Sequence, residues 1–311
     1  MKIAIIGQQA FGKSVLEAFH ARGDEVAAVF CAPEKPGARP DPLRQAAEQL
    51  GVRLFQLPTL RGREAADTLR ALDVELGVMA YVLQHAPAEF VSIPRHGTIQ
   101  YHPSLLPRFR GPSSINWPLI LGETRTGLTI FRPTDGLDEG PVILQKEIAI
   151  GPDDTLGSVY FERLFPLGVE ALLEAADLVV AGRHRETLQD ESQASYEGWC
   201  RDAEAQINWH AHLDITYNLI RGCSPAPGAW TLCGGRKLRI LEARKHRARQ
   251  FSEVRGRPGE IIAIAAEGLE VALQGGRLEI LRLRADGAEK TTGAAYAAAQ
   301  GLKIGMRLEA P

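Results

Sequence analysis

The apolar positions of the first half of the chain fall into short runs. These are KIAII (2–6), EVAAVF (25–30), VRLFQL (52–57), ELGVMAY (75–81) and GTIQYH (97–102). Between them lie stretches with apolar residues at helical spacing, such as GKSVLEAFHARG and PLRQAAEQLG. Strands alternating with helices predict an α/β fold with a mostly parallel, Rossmann-like sheet and right-handed crossovers. Two further runs, GLTIFR (127–132) and PVILQKEIAI (141–150), sit close together and predict an antiparallel pair. A long helix is expected from about Thr155 to Gly182, opened by the N-cap signal PDDT.

The pattern changes near Leu188. LQDESQASYEG (188–198) is polar and aperiodic and reads as a linker. A short helix from His212 to Arg221 follows. After it come AWTL, KLRILEARK, GEIIAIAAEG, LEVALQGG and RLEILRLR, short strands broken by glycine turns. They predict a small Greek-key, OB-like β-barrel. The expected organisation is an α/β domain over 1–187, a linker over 188–205 and a β-barrel domain over 206–311.

Composition narrows the class. Of 311 residues, 45% are hydrophobic and 24% charged, which suits a globular protein with a real core. No apolar run reaches membrane-spanning length, and MKIAIIGQQ reads as a buried first strand rather than a signal peptide. The four cysteines form no C-x-x-C pair, which points to a reducing cytoplasm and no metal cluster. Net charge is −2 but uneven, about −8 before Gln206 and +6 after it, with much of the excess between Arg236 and Arg257. That segment is either a solvated face or a docking surface for tRNA or an acidic partner.

GQQAFGKS (7–14) matches the phosphate-cradling loop G-x-x-x-x-G-K-S. A working loop of that type also needs a carboxylate for magnesium at the end of an apolar strand. ELGVMAY and GTIQYH end in none. The alternative is a strand-to-helix turn in which Gly7 permits the bend and Gly12 lets the helix approach the sheet.

The chemistry concentrates in 95–145. A strand ends in His102, PSLLPRFRG follows, and a later strand runs into the acidic turn TDGLDEG (134–140). Open α/β sheets bind ligands beyond the carboxyl ends of their strands, where His102 sits and to which Asp138 could return. One His and one Asp do not by themselves define a reaction.

The block PRHGTIQYHPSLLPRFRGPSSINW, with IAIIGQQAFG before it and DGLD, LQKE, PDDT, LFP, YEG, INW, IRG and PGAW after it, resembles the folate-dependent formyltransferases. The similarity runs over nearly the whole chain and is strongest to the amino-terminal hydrolase domain found in 10-formyltetrahydrofolate dehydrogenases. It implies an enzyme that takes the formyl group from 10-formyltetrahydrofolate as donor co-substrate, without a metal. His102 would donate to the formyl oxygen and relay a proton, and Asp138 would orient His102 and accept the nucleophile's proton. Amine-formylating members carry Asn two residues before the His; here it is Gln100, which keeps the carboxamide on a longer arm and puts efficient amine formylation in doubt. Folate would be held by Met79, Tyr81 and Leu83, by the loop around Asp135, Gly136 and Gly140, and near Arg110 and Gly111. Relatives with the same first turn do not need Lys13 or Ser14. His85, His96, His210 and His212 read as surface or structural.

The acceptor stays open: water, a carrier-protein phosphopantetheine thiol, methionyl-tRNA or a nucleotide-linked amino sugar. A nucleotide-binding module and a catalytically silent folate-binding protein are the readings from other classes.

Overall fold

The structure is a computed structural model and describes residues 1–309, so the last two positions of the expected 206–311 domain lie outside it. In chain order the elements of the first half are β1 (Lys2–Gly7), α1 (Gln9–Ala21), β2 (Glu25–Cys31), α2 (Pro42–Gln49), β3 (Leu54–Gln56), α3 (Arg63–Arg70), β4 (Leu76–Ala80), α4 (Ala88–Val91), β5 (Thr98–His102), α5 (Asn116–Ile120), β6 (Arg125–Phe131), β7 (Val142–Ala149) and α6 (Phe165–Val180). The chain divides into two compact units. The first comprises Met1–Gly111, Gly127–Ile148 and Phe161–Tyr196, and the second comprises Pro112–Thr126, Ala149–Tyr160 and the chain from Glu197 on.

The first unit is a seven-stranded sheet in the order β3-β2-β1-β4-β5-β6-β7. The pairs β2/β3, β1/β2, β1/β4 and β4/β5 are parallel, and β5/β6 is antiparallel. The mostly parallel sheet is therefore as the pattern predicts. Chain direction across the sheet reverses between β1 and β4, the place where such sheets bind ligands. β1 and β4 are buried on both faces, as their unbroken apolar runs require. The edge strand β7 instead alternates half-buried with exposed residues along most of its length.

Helix α1 turns Phe11, Val15, Leu16 and Phe19 inward, one face at helical spacing. Gly12 is its fourth residue, so no open loop separates β1 from the helix. A Cβ at Gly7 would stand 2.1 Å from the Ala80 carbonyl oxygen, and one at Gly12 would press on Leu43 at 3.0 Å. Both glycines thus serve close approach of backbone. The N-terminus of α1 is already occupied: the Asp41 carboxylate accepts from Gln9 N–H at 2.9 and 3.0 Å while capping α2 through Leu43 N–H at 2.8 Å. An anion fills the spot that a bound phosphate would take. Lys13 pairs with Glu17 on the outer side of the helix at 3.7 Å. The expected 155–182 helix begins with a π-helical stretch, Ser158–Leu164, before α6.

In the second unit α7 (Leu213–Gly222) precedes β8 (Ala229–Cys233), β9 (Arg236–Arg247), β10 (Ile261–Ile264), β11 (Leu269–Leu273), β12 (Gly276–Ala285), β13 (Thr291–Thr292) and α8 (Gly293–Gln300). The sheet order is β10-β11-β12-β9-β8, with β13 on β12, and every assigned pair is antiparallel. The segment after α8 joins the two edges. Leu232 of β8 exchanges hydrogen bonds with Glu309, Leu308 N–H donates to Gly259 C=O, and Ile261 N–H donates to Met306 C=O. Edge pairing of this kind leaves fewer open backbone groups. The core gathers Trp209, Tyr217, Leu238, Ile240, Val271, Ile280 and Leu283. The Trp209 indole N–H is satisfied by Thr231 Oγ1 at 2.8 Å. Helix α8 was not expected from the sequence; Thr292 caps it through Ala295 N–H.

Candidate functional site

Strand β5 presents Gln100 and His102 on one face and Tyr101 on the other, because successive strand residues alternate. Tyr101 goes into the core, its ring 4.4 Å from that of Phe11. His102 ends the strand and is 6% exposed. Its Nε2 lies 2.8 Å from the Phe109 carbonyl oxygen. A carbonyl can only accept, so Nε2 carries the proton and Nδ1 holds the lone pair in the neutral ring. Nδ1 faces Asp138 Oδ2 at 3.6 Å, too long for a direct hydrogen bond.

Asp138 is 7% exposed, has a φ of 58° and is held by Gly111 N–H, which donates to Oδ2 at 2.8 Å. Phe109, with φ 59°, is likewise in the left-handed region. One member of the pair and the residue whose carbonyl holds the other thus sit in this region, a local cost that surrounding contacts must offset. Those contacts are plain. Ser104 Oγ donates to the Arg108 carbonyl at 2.7 Å, and Thr129 Oγ1 donates to the Ser104 carbonyl at 2.7 Å. Gln145 Nε2 donates to the Leu106 carbonyl at 2.8 Å.

Gln100 pairs in register with Met79 on β4 and Phe131 on β6. It is half-buried, and its carboxamide makes no hydrogen bond among the described residues. Of the residues expected to meet folate, Met79 is 3% exposed and belongs to a core with Ile6, Phe30 and Phe90, so it supports the site from below. Tyr81 and Leu83 are exposed, as is Leu137 on the acidic turn. Asp135 ties those two loops together: Oδ1 accepts from Ala88 N–H at 2.9 Å. His85 sits against the Asp135 carbonyl. Gly140 leaves no room for a side chain, since a Cβ there would overlap the Arg132 carbonyl oxygen, whereas a Cβ at Gly136 would meet only the carboxylate end of the Glu139 side chain.

Arg110 departs from the expected role. Its side chain is fully buried, and all five N–H groups are used inside the protein. Nε and Nη2 donate to Gln189 Oε1 at 3.1 and 2.8 Å, Nη1 and Nη2 to the two Glu191 oxygens at 2.9 and 2.6 Å, and Nη1 to the Tyr196 hydroxyl. The hydrogen-bonded Glu191 carboxylate raises the guanidinium's pKa still further. A planar fork with no donor left over cannot also bind a ligand. The guanidinium is therefore a clamp, and Gly111 contributes through its N–H to Asp138.

The clamp's other jaw is the stretch expected to be a linker. Arg110 N–H bonds the Ser195 carbonyl at 2.9 Å, and Phe109 N–H bonds Ser195 Oγ at 2.9 Å. Gln189 Nε2 reaches the Asp138 and Gly140 carbonyls at 2.8 and 2.7 Å. Phe109, Gln189 and Ser195 were missed because a backbone carbonyl and an aperiodic polar run carry no pattern; the available signals were the matched block around Phe109 and the YEG match beside Ser195. The basic strand is also different from its sequence impression. Lys237 and Arg239 share Asp202, Lys245 and Arg247 share Asp214, and Arg244 and His246 share Glu279.

Residues 1–176 match the formyl transferase family, and residues 200–301 match the formyl transferase C-terminal domain. The chain is 44% identical over 248 residues to the mouse cytosolic 10-formyltetrahydrofolate dehydrogenase, a match that covers 78% of this chain and 27% of that protein. It thus spans about a quarter of the length of that relative. It is 33% identical over 316 residues to the methionyl-tRNA formyltransferase of Geotalea daltonii, covering 99% of both chains. The fold resembles that of HypX from Aquifex aeolicus, solved in complex with tetrahydrofolic acid, with a TM-score of 0.66 at 19% identity over 96% of this chain and 47% of that one. With the match over residues 1–176 covering more than half of its length, the chain belongs to the formyl transferase family.

Proposed function

We propose that this protein takes the formyl group from 10-formyltetrahydrofolate, with His102 and Asp138 as the catalytic pair and water or a thiol as acceptor. The observation that carries the reading is the buried pair at the end of β5, Nδ1 and Oδ2 at 3.6 Å, each held from behind by backbone. Two proton acceptors face one another there, an arrangement suited to taking a proton from a nucleophile placed beside them. Attack at a formyl carbon releases such a proton and builds negative charge on the carbonyl oxygen. With Nε2–H committed to Phe109, the proton arrives at Asp138 or Nδ1, and an Nδ1–H is the imidazole donor left for the oxyanion. Gln100, two residues back on the same face, supplies a second donor through its unbonded carboxamide.

The residues present fit a folate. Tyr81, Leu83 and Leu137 offer exposed apolar surface to the pterin, and Asp135, Gly136 and Gly140 shape the turn beside it. On this reading residues 1–187 are the catalytic domain. The four free thiols accord with a cytoplasmic protein, and no helix among the described residues is long and apolar enough to cross a membrane.

Water or thiol is preferred as acceptor because β9 cations are tied to carboxylates of their own unit, Lys237 and Arg239 to Asp202 and Lys245 and Arg247 to Asp214, which leaves fewer of them free for a nucleic acid. An aminoacyl-tRNA acceptor is the second reading, favoured by the end-to-end match to the Geotalea enzyme. The test is incubation with 10-formyltetrahydrofolate and no added acceptor, following tetrahydrofolate release, with His102→Ala as control. Enzyme-dependent release supports water. Folate binding without release, together with formylation of methionyl-tRNA, supports the second reading. Neither binding nor release overturns both.

A further inference from the structure

We propose that Gln189 is a positioning residue for the formyl-transfer reaction, holding the two loops that place His102 and Asp138 in one fixed relation. The inference rests on the function proposed above. Among the described residues, Gln189 bonds to both loops at once. Its Oε1 accepts from Arg110 Nε and Nη2, on the loop whose Phe109 carbonyl holds His102 and whose Gly111 N–H holds Asp138. Its Nε2 donates to the Asp138 carbonyl at 2.8 Å and the Gly140 carbonyl at 2.7 Å.

The Asp138 bond matters most. Asp138 has a φ of 58°, so its peptide can relax toward the ordinary region unless something fixes its carbonyl. Gln189 does so with a neutral donor. Relaxation would swing the carboxylate away from Gly111 N–H and His102 Nδ1. Arg110 cannot substitute, because its donors are all spent on Gln189, Glu191 and Tyr196. Gln189 therefore touches no reacting atom and acts through Asp138. Displacement of a catalytic group by about an ångström typically costs about 10²-fold in rate.

The test uses Gln189→Glu and Gln189→Met in the full chain. Gln189→Glu keeps the shape and the acceptor for Arg110 but loses both donors and sets an anionic oxygen against two carbonyls. Gln189→Met removes donors and acceptor without adding charge. Both variants should lose about 10- to 100-fold in kcat with the folate KM within a few-fold of wild type. The Gln189→Glu deficit relative to wild type should shrink as pH falls and the new carboxyl gains an O–H, whereas that of Gln189→Met should not. Independently of turnover, ¹⁵N spectra assigned with His102→Ala should show a defined Nε2–H tautomer for His102 in wild type and a changed or broadened signal in both variants. Wild-type kcat and wild-type His102 spectra in the variants would overturn the proposal, as would a kcat loss that merely follows the unfolded fraction. Wild-type protein that binds folate but shows no His102-dependent formyl transfer to any acceptor would instead sink the functional reading, and this inference with it.

Discussion

Gly111 N–H donates to Asp138 Oδ2 at 2.8 Å, and Gly111 makes that bond from a φ of 90°, a conformation that side-chain-bearing residues rarely adopt. The same glycine follows Arg110, whose guanidinium is clamped from the other side. Gly111→Ala should therefore cost about 1–3 kcal/mol of stability and lower kcat as well, because relaxing φ turns the N–H away from the carboxylate. Denaturant unfolding and steady-state kinetics on one preparation check both effects. A variant as stable and active as wild type would refute the link.

Asp138→Asn keeps an oxygen for Gly111 N–H but removes the proton acceptor. His102→Ala removes the imidazole that faces it at 3.6 Å. Each should reduce formyl transfer by about 10²–10³-fold or more while folate affinity stays within a few-fold. Rates of tetrahydrofolate formation and calorimetric folate titration measure the two quantities. Gln100→Leu should weaken turnover and Gln100→Asn should retain it or shift acceptor preference; equal rates in the two would make Gln100 a bystander.

The GKS pattern taken alone calls for ATP binding, which neither the missing strand-end carboxylate nor the structure supports. Asp41 occupies the N-terminus of α1, so ATP–Mg²⁺ should produce no calorimetric signal and Lys13→Ala should leave formyl transfer unchanged. Asp41→Ala should instead destabilise the fold by about 2 kcal/mol, because one carboxylate serves two helix ends. Saturable ATP binding lost in Lys13→Ala would reverse this reading.

Glu34 links that cap to the acid stability of the protein. The Asp41 N–H first, then Gln56 Nε2 and Arg44, hold its carboxyl near 2, below the ordinary 4.5. A depressed folded value gives stability that is fully present above about 4.5 and is lost as pH falls toward 2. Glu34→Gln should therefore be less stable than wild type at neutral pH, with the difference closing over that window. Melting temperature against pH tests it; a gap that persists at pH 2 would place the effect elsewhere.

The pairing of β9 cations with Asp202 and Asp214 predicts weak RNA binding with a shallow salt dependence. The double variant Asp202→Asn, Asp214→Asn should bind RNA more tightly and with a steeper slope of log K against log salt. Filter binding across a salt series measures it. A steep slope already present in wild type would favour the tRNA acceptor.

The short apolar runs and helical patterns were enough for the mostly parallel sheet, the antiparallel strands that follow it and the strand ending in His102. They report locally which face of an element is buried. Strand lengths were less legible: of VRLFQL only Leu54–Gln56 pairs. Pairing needs a neighbour, and the neighbour is β2 alone. The resemblance in 95–145 named His102, Asp138 and Gln100, but side-chain type could not say which nitrogen of His102 is free. That was decided by the Phe109 carbonyl, a group every residue carries.

Arg110 and Gln189 show the limit most clearly. An arginine in a loop beside a candidate catalytic histidine reads as a ligand contact, and a polar run of 188–198 reads as a tether. Their partners lie 79–86 residues away in the chain for Arg110 and 49–79 for Gln189. Hydrogen bonds over such separations leave no periodicity, because they satisfy individual buried donors and acceptors rather than a repeating face. Local sequence specified the elements and the candidate reactive groups; the tertiary structure alone decided which polar atoms meet, because those contacts join residues far apart in the chain.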